Sequence, residues 1–433
     1  EDHRRRARRV REAARRAGAA VGILADIQGP KLRLGTLAGG ERRLQPGEVL
    51  RLIEEEQARA ADELPFNFAG FTSSVRPRDR VFLADAAVEL VVESVEPGAA
   101  IARVRRGGLV GDRKGVHLPD SPLSFELPTP QDREHIALAR EIGVDMLGLS
   151  FVSRAEEIER IRELSGDLVL VAKIERRVAV ENLRPILEAA DGLMVARGDL
   201  GVEVLLEQLP LVQKAILAEA RAAGKFAITA TEMLESMVHA SRPTRAEVTD
   251  VANAILDGTD AVMLSAETAI GSYPVEAVAA MSRIARSIEA SPRYAAAVSR
   301  DFRASEPTFS NAVAMGAVRM AEALSIRKIV CFTESGNTVR LLSRYGTGAD
   351  ILALTPSERA LHAMTVLSHV RPMLFARASS LEEMLHAAQV GLLDRGLALP
   401  GEEIVFVAGV PPGVSRSTNL VKLHRIGEAT RLH

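Results

Sequence analysis

Six short apolar runs, VGILAD, VDMLGLS, LVLVAKIE, DGLMVA, FAITA and DAVMLS, end between Asp26 and Ser265, and each is followed by a helix-like segment. Unbroken apolar runs of this length read as strands buried on both faces, as when helices cover a parallel sheet. The chain is thereby held to a succession of βα units, with polar residues at the strand ends where the loops of such a sheet gather. Six units do not close a barrel, whereas eight do. The chain opens at Glu1 in EDHRRRARRVREAARRAG, which reads as a helix already under way that ends at Gly18; its narrow apolar stripe of Ala7, Val10, Ala13 and Ala14 marks a solvated helix face. The expectation is a TIM-type (β/α)8 barrel lacking its first two strands, with those two units upstream of Glu1.

Two further regions depart from this rhythm. From about Gly35 to Ser124 apolar and polar residues alternate between Gly and Pro turns, as in RVFLADAAVELVVESV. That period predicts an inserted all-β lid domain at 35–124, leaving 1–34 and 125–297 to the barrel. Ala280 to Ala297 continues helical, and SRDFRASEPTFS is a polar joint. A third domain, 306–433, carries a helix from about Ser310 to Leu324 and then KIVCF, ILALT, RPMLFA and EIVFVAGV with helices between, which predicts an open α/β sheet.

Composition narrows the function classes. Lys+Arg 55 against Asp+Glu 57 leaves a net charge of -2, without the positive excess of a nucleic-acid binder. No apolar stretch reaches the roughly 18–20 residues that span a bilayer, and no secretory h-region opens the chain, so no membrane partner is expected. The single cysteine, Cys331, sits in KIVCF as a small core residue, which fits a reducing cytoplasmic compartment.

Charged residues at the strand ends carry the chemistry. Lys173 and Glu175 are two apart on one strand, so both point to one face at its C-terminal end. Lys173 follows four apolar residues in a chain with seven lysines, where a desolvated cation has a task beyond a rim ion pair. In VARGDLG, Asp199 opens the next helix, and Glu175 with Asp199 makes a carboxylate pair that suits Mg²⁺ or Mn²⁺ better than zinc. Amides near Arg197, Gly198 and Asp199 offer a place for a substrate carboxylate, although RGD alone reads as a capped turn. Thr231, Ser265 and Glu267 stand just past two further strands; a threonine so placed is by itself an N-cap.

ADIQGPKLRLG, VDMLGLSFV, VAKIE, DGLMVARGDLGVE, ITATEMLESM, PTRAEVTDVANAILDGTDAVMLSAETAIGSYP and GVPPGVSRSTNLVK resemble, in order, the motifs of the pyruvate kinase family. The long segment from PTRAEVTD to GSYP is the specific one. The resemblance implies a TIM-type barrel with an inserted lid, a C-terminal α/β regulatory domain, and transfer of the phosphoryl group of phosphoenolpyruvate to ADP in the last step of glycolysis. It implies that Lys173 neutralises the transferring group, that Glu175 and Asp199 hold the metal, and that Ala196, Arg197, Gly198, Asp199 and Thr231 bind substrate. Thr231 would help deliver a proton to the enolate, supported by Ser265 and Glu267. Arg33 and Lys114 match the residues that contact nucleotide phosphates. Lys31, with Asp26, matches members that do not need K⁺; the alternative for Lys31 is a plain rim lysine. Thr333, Ser335, Gly336 and Thr338 in TESGNT resemble the effector-phosphate loop, for a sugar phosphate or nucleotide, with an ordinary helix cap as the alternative. The family is commonly a homotetramer.

Departures accompany the match. The family segment ARLNFSHG has no counterpart, Arg416 and Ser417 stand where many members have a Gly-Thr-Thr-Asn sequence, and LPTPQDREH differs at the lid hinge. The fragment alone is therefore expected to be inactive or poorly folded. Two other functions stay open at this point: a Mg²⁺-dependent enolate lyase or aldolase, and a non-catalytic effector-binding or scaffold protein.

Overall fold

The computed structural model describes residues 1–37, 39–54, 60, 62–68, 70–84, 86–121, 123, 125–298, 308–411 and 418–428. The arginine-rich opening is a helix, Asp2–Ala17, closed by Gly18 at φ 61. It leads into β1 (Leu24–Ile27). The chain then leaves for the lid: β2 (Glu41–Leu44), β3 (Val49–Ile53), β4 (Glu63–Pro65), β5 (Arg80–Leu83), β6 (Val88–Glu96), β7 (Ala99–Arg106), β8 (Gly108–Gly111) and β9 (Val116–His117). It returns to the barrel as β10 (Met146–Leu149), β11 (Val169–Ile174), β12 (Gly192–Ala196), β13 (Phe226–Ala230) and β14 (Ala261–Val262).

Those barrel strands pair in parallel and in chain order, β1-β10-β11-β12-β13-β14. Alternation along each strand divides the side chains between two faces. Leu147, Leu149, Leu170, Ala172, Ile174, Leu193 and Val195 pack outward against the covering helices. Met146, Val169, Val171, Met194, Phe226 and Ile228 point inward. The resulting curled sheet is that of a (β/α) barrel, and among the described residues β1 and β14 each pair on one side only.

Most lid strands form one sheet, β4-β3-β7-β6-β5-β9, beside the antiparallel pair β2 and β8, over a core that includes Leu52, Phe71 and Leu90. Two extended segments join the lid to the barrel and bridge each other at Arg33 and Gly115. The turn that leads into them needs Gly29: its φ is 61 and a Cβ there would lie 2.9 Å from the Ser150 carbonyl. Asp132 fixes this turn, since it caps the helix Pro130–Ile142 together with Thr129 and also accepts the Gly29 amide at 3.1 Å.

The C-terminal domain is an open sheet of β15 (Lys328–Phe332), β16 (Asp350–Thr355), β17 (Val370–Leu374), β18 (Glu403–Gly409) and β19 (Thr418–Arg425), ordered β17-β16-β15-β18-β19 with β19 antiparallel. β19 is the strand that periodicity did not predict. The helix expected to run through Ala297 stops at Glu289 and restarts at Pro292, because proline cannot donate to the preceding turn. The joint that follows lies largely outside the described residues. This domain closes the floor of the barrel, opposite the mouth: Gly22 donates to Thr365 Oγ1 at 3.1 Å, Asp145 faces His362 at 3.2 Å, and Asp260 accepts from the Ser368 hydroxyl at 3.0 Å.

Candidate active site

Lys173 reaches the barrel mouth from the end of β11, where its ammonium meets Glu175 Oε1 at 2.8 Å, Asp26 Oδ2 at 3.0 Å and Ser150 Oγ at 2.8 Å. Three successive strands, β1, β10 and β11, each contribute one partner or the lysine itself. Burial opposes the charge on Lys173, but the Glu175 and Asp26 carboxylates more than offset it and raise its pKa above that of a free lysine. Glu175 is 1% exposed, and its second oxygen accepts the Phe151 amide at 2.7 Å. Burial, and after it the charge of Asp199, push the Glu175 carboxyl up, while Lys173 pulls it down.

The next two strand ends are locked together. Thr231 has φ 70 and Glu232 φ 54, left-handed conformations that cost a non-glycine residue free energy and cluster at functional sites. Arg197 holds this turn: it donates to the Thr231 carbonyl at 2.6 Å and is itself held by Asp250 at 2.7 Å. The Arg197 side chain is thus committed to the scaffold. The Thr231 hydroxyl accepts the Gly198 amide at 2.9 Å and donates to the Ala230 carbonyl at 2.7 Å. A Cβ on Gly198 would meet Thr231 at an ordinary 3.7 Å, so the chain itself leaves room there. Ala196 ends β12 and is buried. Glu267, fully buried, accepts the Ser265 amide at 2.7 Å and the Leu234 amide at 3.0 Å, joining the loops after β13 and β14.

The lid approaches from above. His117 of β9 lies 3.8 Å from Asp199. Arg33 and Lys114 stand on the paired crossing segments, where the Leu34 amide donates to the Lys114 carbonyl at 2.8 Å and Arg33 donates to the Arg113 carbonyl at 3.2 Å. Lys31 is exposed; Asp26 is engaged by Lys173 rather than by Lys31. In the C-terminal domain the Thr333 hydroxyl accepts the Gly336 amide at 2.9 Å, with Gly336 at φ 84, and Thr338 meets Thr418 at 2.5 Å. Ser335 lines a separate cavity of about 490 Å³ against the barrel floor. Arg416 and Ser417 lie outside the described residues.

Sequence reasoning missed Ser150, Phe151, Asp250 and His117. Ser150 was findable, because it ends an apolar run as Asp26 does. A backbone amide such as that of Phe151 leaves no mark in a sequence.

Residues 1–278 match the family model "Pyruvate kinase, barrel domain", and residues 311–424 match "Pyruvate kinase, alpha/beta domain". The chain is 40% identical to a pyruvate kinase of Methylorubrum extorquens over 98% of its own length and 88% of that protein. It is also 40% identical to one from Mycobacterium tuberculosis, over 99% and 91%. The crystal structure of a pyruvate kinase from Cryptosporidium parvum superposes with a TM-score of 0.88 at 30% identity, covering 96% of this chain and 86% of that one.

Proposed function

Because the chain belongs to the pyruvate kinase family of phosphotransferases, we propose that Lys173, Glu175, Asp199 and Thr231 carry the transfer of a phosphoryl group from phosphoenolpyruvate to ADP. The observation that most supports this assignment is the Lys173 ammonium, held at the mouth by Glu175, Asp26 and Ser150. Phosphoryl transfer asks little covalent work of the protein and much positive charge at fixed positions. Lys173 supplies that charge to the transferring group, and Arg33 and Lys114 bring more to the nucleotide phosphates as the lid closes. Relatives that are pyruvate kinases do not favour the lyase or scaffold alternatives.

The donor set fits a hard divalent cation. Asp199 is close enough to Glu175 to repel it, a repulsion that such an ion relieves. Among the described residues no three His, Cys, Asp or Glu side chains form a metal cage, so the remaining positions fall to water and substrate. Glu175 and Asp199 would hold Mg²⁺ or Mn²⁺, which supplies charge to the phosphoryl and substrate oxygens when bound. The substrate carboxylate lies along Ala196 to Asp199. Thr231 then delivers a proton, through water, to the enolate carbon, while Ser265 and the buried Glu267 keep its loop in place. Lys31, exposed on the turn after β1, substitutes for K⁺, and TESGNT takes the phosphate of an effector.

Exposed apolar side chains support assembly into a tetramer: Leu206, Leu211, Ile270, Val275 and Phe309 are each at least 68% exposed, on the barrel rim and the first helix of the C-terminal domain. Among the described residues no helix is long and apolar enough to cross a membrane. The cytoplasm is the compartment this reading implies. Pyruvate formation coupled to lactate dehydrogenase, with phosphoenolpyruvate, ADP and Mg²⁺, tests the assignment. Turnover that survives Lys173→Met would remove its basis.

A further inference from the structure

At the lid hinge, the lid's return segment and the loops after β10 and β11 line an open cavity of about 800 Å³. That volume is within the range of roughly 300–1,000 Å³ typical of small-molecule sites. Its floor holds Arg176, which is only 8% exposed. The guanidinium makes one side-chain hydrogen bond among the described residues, to Ser153 Oγ at 3.0 Å, and lies 5.6 Å from the centroid of the Phe125 ring. No carboxylate among the described residues pairs with it directly. Arginines are almost never so buried unless paired, because an uncompensated charge out of water is costly.

The carboxylates nearest this guanidinium are occupied or set back. Glu157 accepts the Ser153 amide at 2.7 Å and the Arg154 amide at 3.1 Å. Glu203 acts on Arg176 only through space, and its closest donor is the Arg177 amide at 3.4 Å. Five donors in a planar fork, most without an acceptor among the described residues, match one carboxylate held side by side. Six carboxylate side chains line the cavity against four arginines, so a second negative charge on the ligand would be repelled. Leu123, Phe125 and Phe151 offer apolar surface to the body of such a molecule.

We propose that this hinge cavity binds a small organic monocarboxylate on Arg176 and Ser153, and that occupancy is transmitted to the active site through Phe151. Phe151 lines the cavity, holds a left-handed φ of 59, and donates its amide to Glu175 at 2.7 Å. A ligand that shifts this residue therefore shifts the acceptor paired with Lys173. The binding claim stands on the cavity alone; the transmission claim rests on the role proposed for Glu175.

Titration calorimetry with benzoate tests it, on the whole chain and on Arg176→Met and Asp199→Asn. One benzoate per chain is expected, bound at least tenfold more weakly by Arg176→Met and equally by Asp199→Asn, and preferred over succinate and inorganic phosphate. The KM for phosphoenolpyruvate should change with benzoate in the parent and not in Arg176→Met. No binding at millimolar benzoate, equal binding by Arg176→Met, or loss in Asp199→Asn alone would overturn the site. Tighter phosphate binding would overturn the ligand class. Should Arg176→Met fail to fold by circular dichroism, Ser153→Ala and Phe125→Ala are expected to weaken benzoate at least threefold, and unchanged affinity in both would equally refute the site. Benzoate binding together with turnover that survives Lys173→Met would leave the cavity standing and fault the catalytic assignment.

Discussion

The Lys173 ammonium lies 2.8 Å from the Glu175 carboxylate, two residues further along the same strand direction. The carboxylate raises the pKa of the lysine against its burial, while the lysine only partly offsets the burial that pushes Glu175 up. Lys173→Met should therefore lower kcat by about 10²–10³-fold, the scale of losing one preorganised charge partner. Phosphoenolpyruvate binding, measured by fluorescence or calorimetry, should change little. A comparable loss in affinity would reassign the lysine to ground-state binding.

Glu267 has no such freedom, since both oxygens are spent on backbone amides. Glu267→Ala leaves the Ser265 and Leu234 amides without that acceptor, at about 1–3 kcal/mol each. Chemical denaturation should show the loss, and Glu267→Gln should recover roughly half of it. A neutral Glu267→Ala would mean that water takes over both amides.

Metal dependence can be read without turnover. Mn²⁺ binding followed by its paramagnetic resonance signal should be lost in Glu175→Gln and in Asp199→Asn, while Asp26→Asn retains it. Activity of the enzyme should persist without K⁺ and fall on Lys31→Ala, with K⁺ restoring part of it. Restoration by K⁺ is the outcome that a rim lysine would not give.

His424 is 3% exposed on β19, and neither ring nitrogen has a hydrogen-bond partner among the described residues. Burial, and after it Lys422, lower its pKa, against a weaker opposite pull from Glu428. The unfolded chain thus takes up the proton first, and stability falls as pH drops through about 6.5 toward the lower folded value. Above that window His424 is neutral in both states and contributes no slope. Thermal unfolding at pH 7.5 and 5.5 should show a smaller loss in His424→Leu than in the parent.

The sheet edges make their own prediction. Among the described residues β1 and β14 each pair on one side only, in a sheet whose order follows the barrel pattern. Two βα units supplied ahead of residue 1 should pair with those edges and raise both melting temperature and pyruvate formation. No change in either would mean that the six-stranded form is self-sufficient.

Much of this was legible because strands buried on both faces must be apolar, so Lys173 interrupting LVLVA marked the mouth. Three of the parallel strands of the C-terminal domain, β15, β16 and β18, were visible for the same reason, while β17 is a partly exposed edge strand. β19 was not visible: Thr418 to Arg425 has no clean alternation and lies on an edge, where pairing with β18 decides the conformation. Arg197 was read for its amide and its place in a substrate loop, while its side chain turned to Asp250 and the Thr231 carbonyl. Such a choice depends on which partner folds beside it, 53 residues away along the chain.

The inward side chains of β11, β12 and β13 share one continuous apolar cluster with Val339, Leu342 and Met364 of the C-terminal domain. Sequence divides these regions, but water sees a single object. Cutting the chain between them would strip the barrel of its plug rather than release an accessory. One melting transition should accordingly cover both, with the lid, whose core is its own, free to come apart by itself.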